Sequence, residues 1–242
     1  MRLTGELLAD IFSRKIGLWN DPALLAANPG LALPALPIAL VVRQDGSGTT
    51  YNFTDYLTQA SAPWARSHGR GFTVAWPADA IKAKGSGEIA KVLRQTRGAI
   101  SYIDFQYVAQ EKLTTTRLRN RDGVFVTPGA AGFRAALKNS GWETGARYEE
   151  MLTNKRGEAS WPITMGTFVI VPRTTAQPER TKAALKFITW GFMYGDKVVE
   201  SANFVRLPDG VMGRIYGEMT RVTDTTGRPL EWSLNTLVDT RR

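Results

Sequence analysis

Cysteine is absent from this sequence of 242 residues, and histidine occurs once, as His68. Without cysteine the chain forms no disulfide and no thiolate metal site, and one histidine excludes a histidine-rich metal centre. Long apolar runs are also lacking: Pro34 and Pro37 interrupt the most apolar segment, and nothing approaches the roughly 20 apolar residues that span a bilayer. The first residues, MRLTGELLADIF, have no apolar signal core. We therefore expect neither a cofactor nor a membrane span.

The chain is basic, with 31 Lys and Arg against 22 Asp and Glu and a formal net charge of +9. A basic chain attracts anions, and binding of nucleic acid requires that the positive residues cluster. Here they are scattered, and the densest group is Arg117, Arg119 and Arg121. We expect no nucleic-acid partner, which leaves a generally basic surface or the attraction of an anionic ligand.

Strand-like and helix-like patterns alternate along the chain, as is typical of an α/β protein. Apolar runs over residues 38–42 and 168–171 predict strands buried on both faces. Leucine and isoleucine spacing predicts an amphipathic helix over residues 4–14, with Thr4 as its N-cap. The remaining predicted helices cover residues 49–59, 88–95, 105–110, 129–139, 179–194 and 209–220. The remaining predicted strands cover residues 72–76, 99–102, 114–119 and 124–127, the last two as a pair.

Two further segments carry structural expectations. Residues 61–71, which include Trp64 and His68, are expected to be a loop with an exposed histidine. The aromatic residues Phe187, Trp190, Phe192 and Tyr194 are expected on the core side of their helix rather than as a platform for stacking bases.

The stretch VVRQDGSGTTYNFTDYL, residues 41–57, joins the first buried strand to a helix through a glycine-rich turn. The first N–H groups of a helix have no internal partner, so such a turn attracts anions, and Gly46 and Gly48 would let successive N–H groups converge. Arg43 adds a fork of donors that suits phosphate oxygens, and Asp45 is placed to pair with that arginine and fix its orientation. The alternative is a plain capped turn in which Asp45 is the helix cap.

Two enzyme interpretations fit these residues poorly. The phosphate-binding loop of nucleotide hydrolases has a lysine before Ser or Thr, and the segment Gly48-Thr49-Thr50 has none. A nucleophilic Ser47 would need a histidine base, and His68 is the one histidine in the chain. No spacing of carboxylates supports a metal site.

Several motifs in order resemble the periplasmic phosphate-binding proteins that serve ATP-driven phosphate uptake. The segment from Arg43 to Thr50 resembles the signature of that family, and the resemblance extends over essentially the whole chain. The supporting motifs are Leu3-Thr4-Gly5, Lys15-Ile16-Gly17-Leu18-Trp19-Asn20-Asp21-Pro22, Asn28-Pro29-Gly30-Leu31, Gly98-Ala99-Ile100-Ser101-Tyr102, Trp161-Pro162-Ile163-Thr164, Thr167-Phe168-Val169-Ile170, Ala184-Leu185-Lys186-Phe187 and Leu207-Pro208-Asp209.

The resemblance implies an α/β, periplasmic-binding-protein-like fold of two lobes with phosphate held between them. Arg43, Ser47, Gly48 and Thr49 would bind the phosphate, and Asp45 would orient Arg43. The partners implied are inorganic phosphate and the membrane permease of an ABC transporter, in the periplasm. The alternatives are a related oxyanion such as sulfate, a phosphorylated solute, and an enzyme acting on phosphate esters.

Members of the family carry a further N-terminal portion before the region that resembles Leu3-Thr4-Gly5. Residues 1–161 are therefore expected to form a nearly complete second lobe, and residues 162–242 a crossover strand and the returning part of an incomplete first lobe. Two consequences are expected: weakened affinity for phosphate, and exposed apolar surface that promotes self-association.

Overall fold

A computed structural model describes residues 1–142, 144 and 148–232. These residues divide into two compact units. Unit 1 contains residues 1–141 and 148–166 of the described part, and unit 2 contains residues 142, 144 and 167–232. The assignment of residues 1–161 and 162–242 to two lobes of a binding protein stays a prediction.

Helices and short strands alternate through unit 1. In chain order its elements are β1 (Arg2–Leu3), α1 (Gly5–Phe12), α2 (Pro22–Ala27), β2 (Ala39–Arg43), α3 (Gly48–Ala60), α4 (Ala62–Ser67), β3 (Ile81–Ala83), α5 (Gly85–Gln95), β4 (Ala99–Ile100), α6 (Phe105–Gln110), β5 (Arg117–Arg119), β6 (Phe125–Val126) and α7 (Ala130–Lys138). Two three-stranded sheets are present in the described residues, in the orders β3-β2-β4 and β1-β5-β6.

The sheet that matters for function is β3-β2-β4, in which both pairings are parallel. Its central strand β2 buries Leu40, Val41 and Val42 completely, as predicted for an apolar run covered on both faces. In the other sheet, β1 and β5 are parallel, while β5 and β6 form the predicted antiparallel pair.

The core of unit 1 forms between the sheets and helices α1 and α3. Thr4 caps α1 as predicted, accepting a hydrogen bond from the Leu7 N–H at 3.2 Å. The Phe12 side chain of α1 packs edge-on against Phe53 of α3, with 4.7 Å between the ring centres. Trp64, Tyr56 and Leu57 are buried in the same cluster.

The predicted loop over residues 61–71 is wrong, because residues 62–67 form α4. Ser61 caps this helix through a hydrogen bond from the Trp64 N–H at 3.3 Å, and a proline lies in its first turn. The predicted strand over residues 72–76 is also wrong. These residues form no strand in the structure: Phe72 is 60% exposed, whereas Trp76 packs against the core.

Unit 2 is smaller and mostly helical. Its elements are β7 (Thr174–Thr175), α8 (Pro178–Tyr194), α9 (Asp196–Ser201), α10 (Asp209–Met219) and β8 (Thr223–Asp224), with β7 and β8 paired in parallel. Its core contains Leu185, Met219, Val222, Leu230 and Trp232.

The apolar run Phe168-Val169-Ile170-Val171 does not form the predicted buried strand. Phe168, Val169 and Ile170 are 60%, 71% and 95% exposed. A run of this type is buried only when other elements cover both of its faces, and the described residues of unit 2 supply no strand beside it.

The aromatic residues of α8 also differ from the prediction. Phe192 packs against the core of unit 2, but Phe187, Trp190 and Tyr194 are exposed. Residues at spacings of three and four share one side of a helix, and the stacked rings of Phe187 and Trp190 form a strip of their own.

Among the described residues, no helix is both long and apolar enough to cross a bilayer.

Candidate functional site

The candidate site lies where the three parallel strands of the β3-β2-β4 sheet end. In a parallel sheet the carboxyl ends lie at one edge, and ligands bind there at the point where the connections diverge to opposite sides. Here the chain leaves β2 for β3 on one side and then returns to β4 on the other. Residues 43–47, 84–86 and 101–104 therefore meet at this edge.

Arg43 ends β2, and Asp45 holds its guanidinium in a two-point contact. The Nε–H donates to Oδ1 of Asp45 at 2.8 Å, and Nη2 donates to Oδ2 at 2.5 Å. Oδ1 also accepts the Gly85 N–H at 3.0 Å. This arrangement leaves the Nη1 side of the guanidinium directed away from Asp45, as an arginine oriented for an anion requires.

Both members of this pair are stabilised in their charged forms. The hydrogen bonds from Arg43, and then the bond from the Gly85 N–H, hold the pKa of the Asp45 carboxyl well below its usual range. The hydrogen bond to Asp45 raises the pKa of Arg43. The side chain of Arg43 is only 12% exposed, which strengthens its interactions relative to those of a surface arginine.

The N-terminus of α3 supplies backbone donors at the same edge. Ser47 is its N-cap and accepts the Thr50 N–H at 3.3 Å, so Ser47 rather than Asp45 caps the helix. Gly48 and Thr49 occupy the first two helical positions, where an N–H has no partner within the helix. In the described part of the chain neither N–H donates a hydrogen bond. These two N–H groups and the helix dipole favour a negative group at this position.

The expected role of Gly46 and Gly48 in the turn is wrong. Neither glycine lies in the left-handed region, and Gly48 already has helical backbone geometry. The left-handed position is Gly85, with a φ of +70°, in the turn that brings its N–H to Asp45.

Tyr102 fixes the end of β2 to α3. Its hydroxyl accepts the Arg43 N–H at 3.2 Å and contacts the Thr50 hydroxyl at 2.8 Å. Its ring stacks on Phe53, with 4.4 Å between centres. Burial raises the pKa of this tyrosine, which therefore stays neutral.

Two site residues, Ser86 and Asp104, were not predicted. The Ser86 hydroxyl donates to the carboxylate of Asp104 and lies 3.4 Å from Nη1 of Arg43. The Asp104 carboxylate also accepts the Thr49 hydroxyl at 3.2 Å. Their positions after β3 and β4 would have identified them, if the parallel pairing of these short strands had been known.

His68 is not part of this edge. It is half-buried and stacks on Trp64 with 4.4 Å between ring centres, and its Nδ1 contacts the hydroxyl of Ser67 at 2.7 Å. Burial lowers its pKa. Ser47 and His68 form no hydrogen bond in the described structure, and no group of three potential metal ligands occurs among the described residues.

The chain belongs to the PBP superfamily. The PBP superfamily domain matches residues 2–193.

Among curated relatives, the phosphate-binding protein PstS of Xylella fastidiosa (strain Temecula1) is 41% identical over 215 residues, which are 89% of this chain and 59% of that protein. PstS of Pasteurella multocida is 37% identical over 95% of this chain and 67% of its own length. The chain thus spans about three fifths to two thirds of these curated relatives.

Solved structures show the same fold. A periplasmic phosphate-binding protein called PfluDING, solved with phosphate, has a TM-score of 0.69 at 20% identity and covers 89% of this chain, which spans 64% of that protein. A phosphate-binding protein from Stenotrophomonas maltophilia has a TM-score of 0.65 at 18% identity, with 90% of this chain and 64% of that chain covered. At this identity the likeness establishes the fold.

Proposed function

We propose that this chain carries the arginine-centred part of a site for inorganic phosphate. In this proposal the protein is a periplasmic solute-binding protein that delivers phosphate to the permease of an ABC transporter, without catalysing a reaction on it. The curated relatives bear the name phosphate-binding protein, and their similarity covers the segment that contains the site.

The observation that carries the proposal is the oriented arginine beside the free helix N-terminus. Asp45 takes two of the five N–H groups of the Arg43 guanidinium and Ser86 takes one, so one N–H on Nη1 and one on Nη2 remain for a ligand. The N–H groups of Gly48 and Thr49 and the hydroxyl proton of Ser47 add uncharged donors, which together suit a tetrahedral oxyanion. The sheet edge is also where ligands bind in open parallel sheets.

Calorimetric titration of the chain with inorganic phosphate tests this proposal. We expect measurable binding by the native chain and a loss of about 100-fold or more in Arg43→Met, since this change removes charge-assisted bonds of roughly 1.5–3 kcal/mol each. The matched control is Arg173→Met, which removes an exposed arginine paired with Glu218 in unit 2 and should bind phosphate as the native chain does.

Absence of phosphate binding by the native chain, or equal binding by Arg43→Met, would contradict the proposal. A parallel titration with sulfate tests the choice of oxyanion. Weakened affinity, expected from the sequence, stays a prediction, and submicromolar binding by this chain would contradict it.

A further inference from the structure

Asp104 occupies a position that would normally cap a helix, but it does not act as a cap. It is the N-cap residue of α6, where an aspartate usually accepts the N–H of the second or third helical residue. Here the side chain makes no capping hydrogen bond. Its carboxylate instead accepts the hydroxyls of Thr49 at 3.2 Å and of Ser86. The side chain therefore joins the strand-end segments of the sheet rather than its own helix.

The hydroxyl chemistry makes these contacts directional. A Ser or Thr hydroxyl has one proton, and an ionised carboxylate only accepts hydrogen bonds. Ser86 therefore donates to Asp104, and its oxygen is left to accept from Nη1 of Arg43, 3.4 Å away. Thr49 likewise donates to Asp104, which fixes its side chain at the start of α3.

The contacts form a continuous polar chain through Asp45, Arg43, Ser86, Asp104 and Thr49. Asp45 holds one edge of the guanidinium, and Ser86 contacts the other side. Without Asp104, Ser86 would have no fixed acceptor, and its hydroxyl would be free to turn away from Arg43.

We propose that Asp104 is a positioning residue of the anion site, which holds the Thr49 and Ser86 hydroxyls and, through Ser86, supports Arg43. The effect of Asp104 on ligand binding rests on the proposed function. The positioning itself is a property of the ligand-free chain and is measured there.

The first test needs no ligand. NMR three-bond couplings that report the χ1 angle of Thr49 are measured in the native chain, Asp104→Ala and Asp104→Asn. We expect one rotamer in the native chain and in Asp104→Asn, which keeps an acceptor, and averaging between rotamers in Asp104→Ala. The control is Asp122→Ala. Asp122 lies in the turn between β5 and β6, and its carboxylate accepts the N–H of Gly157. This variant should leave Thr49 unchanged.

The second test compares phosphate affinity in the two uncharged variants. Neither variant carries a carboxylate at position 104. The ratio of their phosphate affinities therefore reports positioning by a hydrogen-bond acceptor and not the removal of charge repulsion. We expect Asp104→Asn to bind about fivefold to tenfold more tightly than Asp104→Ala, the range for one hydrogen bond. Circular dichroism verifies that each variant is folded.

A single Thr49 rotamer in Asp104→Ala would overturn the proposal, as would equal phosphate affinities of the two variants. Failure of the native chain to bind phosphate would instead contradict the proposed function. In that case the Thr49 couplings alone decide whether Asp104 positions these side chains.

Discussion

The Arg43–Asp45 pair shows how a carboxylate is compatible with an anion site. An isolated aspartate beside an anion would repel it, but this one is bonded through both oxygens to the arginine that would bind the ligand. Residue 45 follows Arg43 in the bend that begins where β2 ends, so the pair forms locally. Its charge is therefore largely balanced before any ligand arrives.

The pair predicts a defined pH dependence of stability. The pKa of Asp45 is lowered in the folded state, so its contribution is present above the unfolded value of about 3.9 and is lost as the pH falls through the lower folded value. Asp45→Asn should lower Tm by about 2–4 °C at pH 6, as expected for about 1 kcal/mol in a chain of this size. The difference from the native chain should shrink steadily below about pH 4.

Thermal unfolding followed by circular dichroism between pH 2 and pH 7 measures this difference. In an Arg43→Met background only the Gly85 N–H remains as a partner, so Asp45→Asn should lower Tm by less than it does in the native chain. A difference in Tm that stays constant between pH 2 and pH 7 would show that the pair does not couple folding to the ionisation of Asp45.

Helix α3 is attached to the rest of unit 1 by a buried carboxylate near its middle. Asp55 is 1% exposed and accepts hydrogen bonds from Gln59 at 2.7 Å, from Arg70 at 2.8 Å and from the Thr153 hydroxyl. These bonds connect the helix that starts at the anion site to a segment nearly 100 residues later in the chain.

Removal of this carboxylate should destabilise the chain strongly. Asp55→Ala removes the acceptor of the buried Thr153 hydroxyl and the partner of Arg70, and we expect a loss of about 2–4 kcal/mol in the free energy of unfolding. Urea denaturation measures this loss. The control is Glu111→Ala, which breaks an exposed pair with Arg94 and should cost less than about 1 kcal/mol. A similar cost for both variants would contradict a structural role of the buried network.

Comparison of two apolar runs shows how far the sequence predicts these elements. Residues 38–42 and 168–171 have the same pattern, and only the first forms a buried strand. A continuous apolar run indicates that both faces of a segment favour burial. It does not indicate whether other elements are present to bury them. Helices with strong periodicity or caps, such as α1, α3 and α8, were predicted to within about two residues.

The site was predictable where its residues are close in sequence. Arg43, Asp45 and Ser47 lie within five consecutive residues at the end of β2, so closeness in sequence alone brings them together. Ser86 and Asp104 are 43 and 61 residues from Arg43, and parallel strand pairing brings them to it. Strands β3 and β4 contain three and two residues, too few for a periodic pattern to reveal them.

Unit 2 exposes more large apolar side chains than its small core contains. Ile170 is 95% exposed, and the rings of Phe187, Trp190 and Tyr194 form a strip along α8. Burial of apolar surface yields about 25 cal/mol per Å², so such a surface favours association in water. We therefore predict that the chain self-associates as its concentration rises.

Light scattering across a concentration series tests this prediction against the monomer mass of 26.7 kDa. Ile170→Ser combined with Phe187→Ser should shift the average mass toward the monomer, because both changes remove exposed apolar surface from unit 2. The control is Phe72→Ser, which removes a phenylalanine of similar exposure from unit 1 and should leave the association unchanged. A native chain that stays monomeric throughout the series would contradict the prediction. An equal effect of Phe72→Ser would show that association depends on general hydrophobicity rather than on the surface of unit 2.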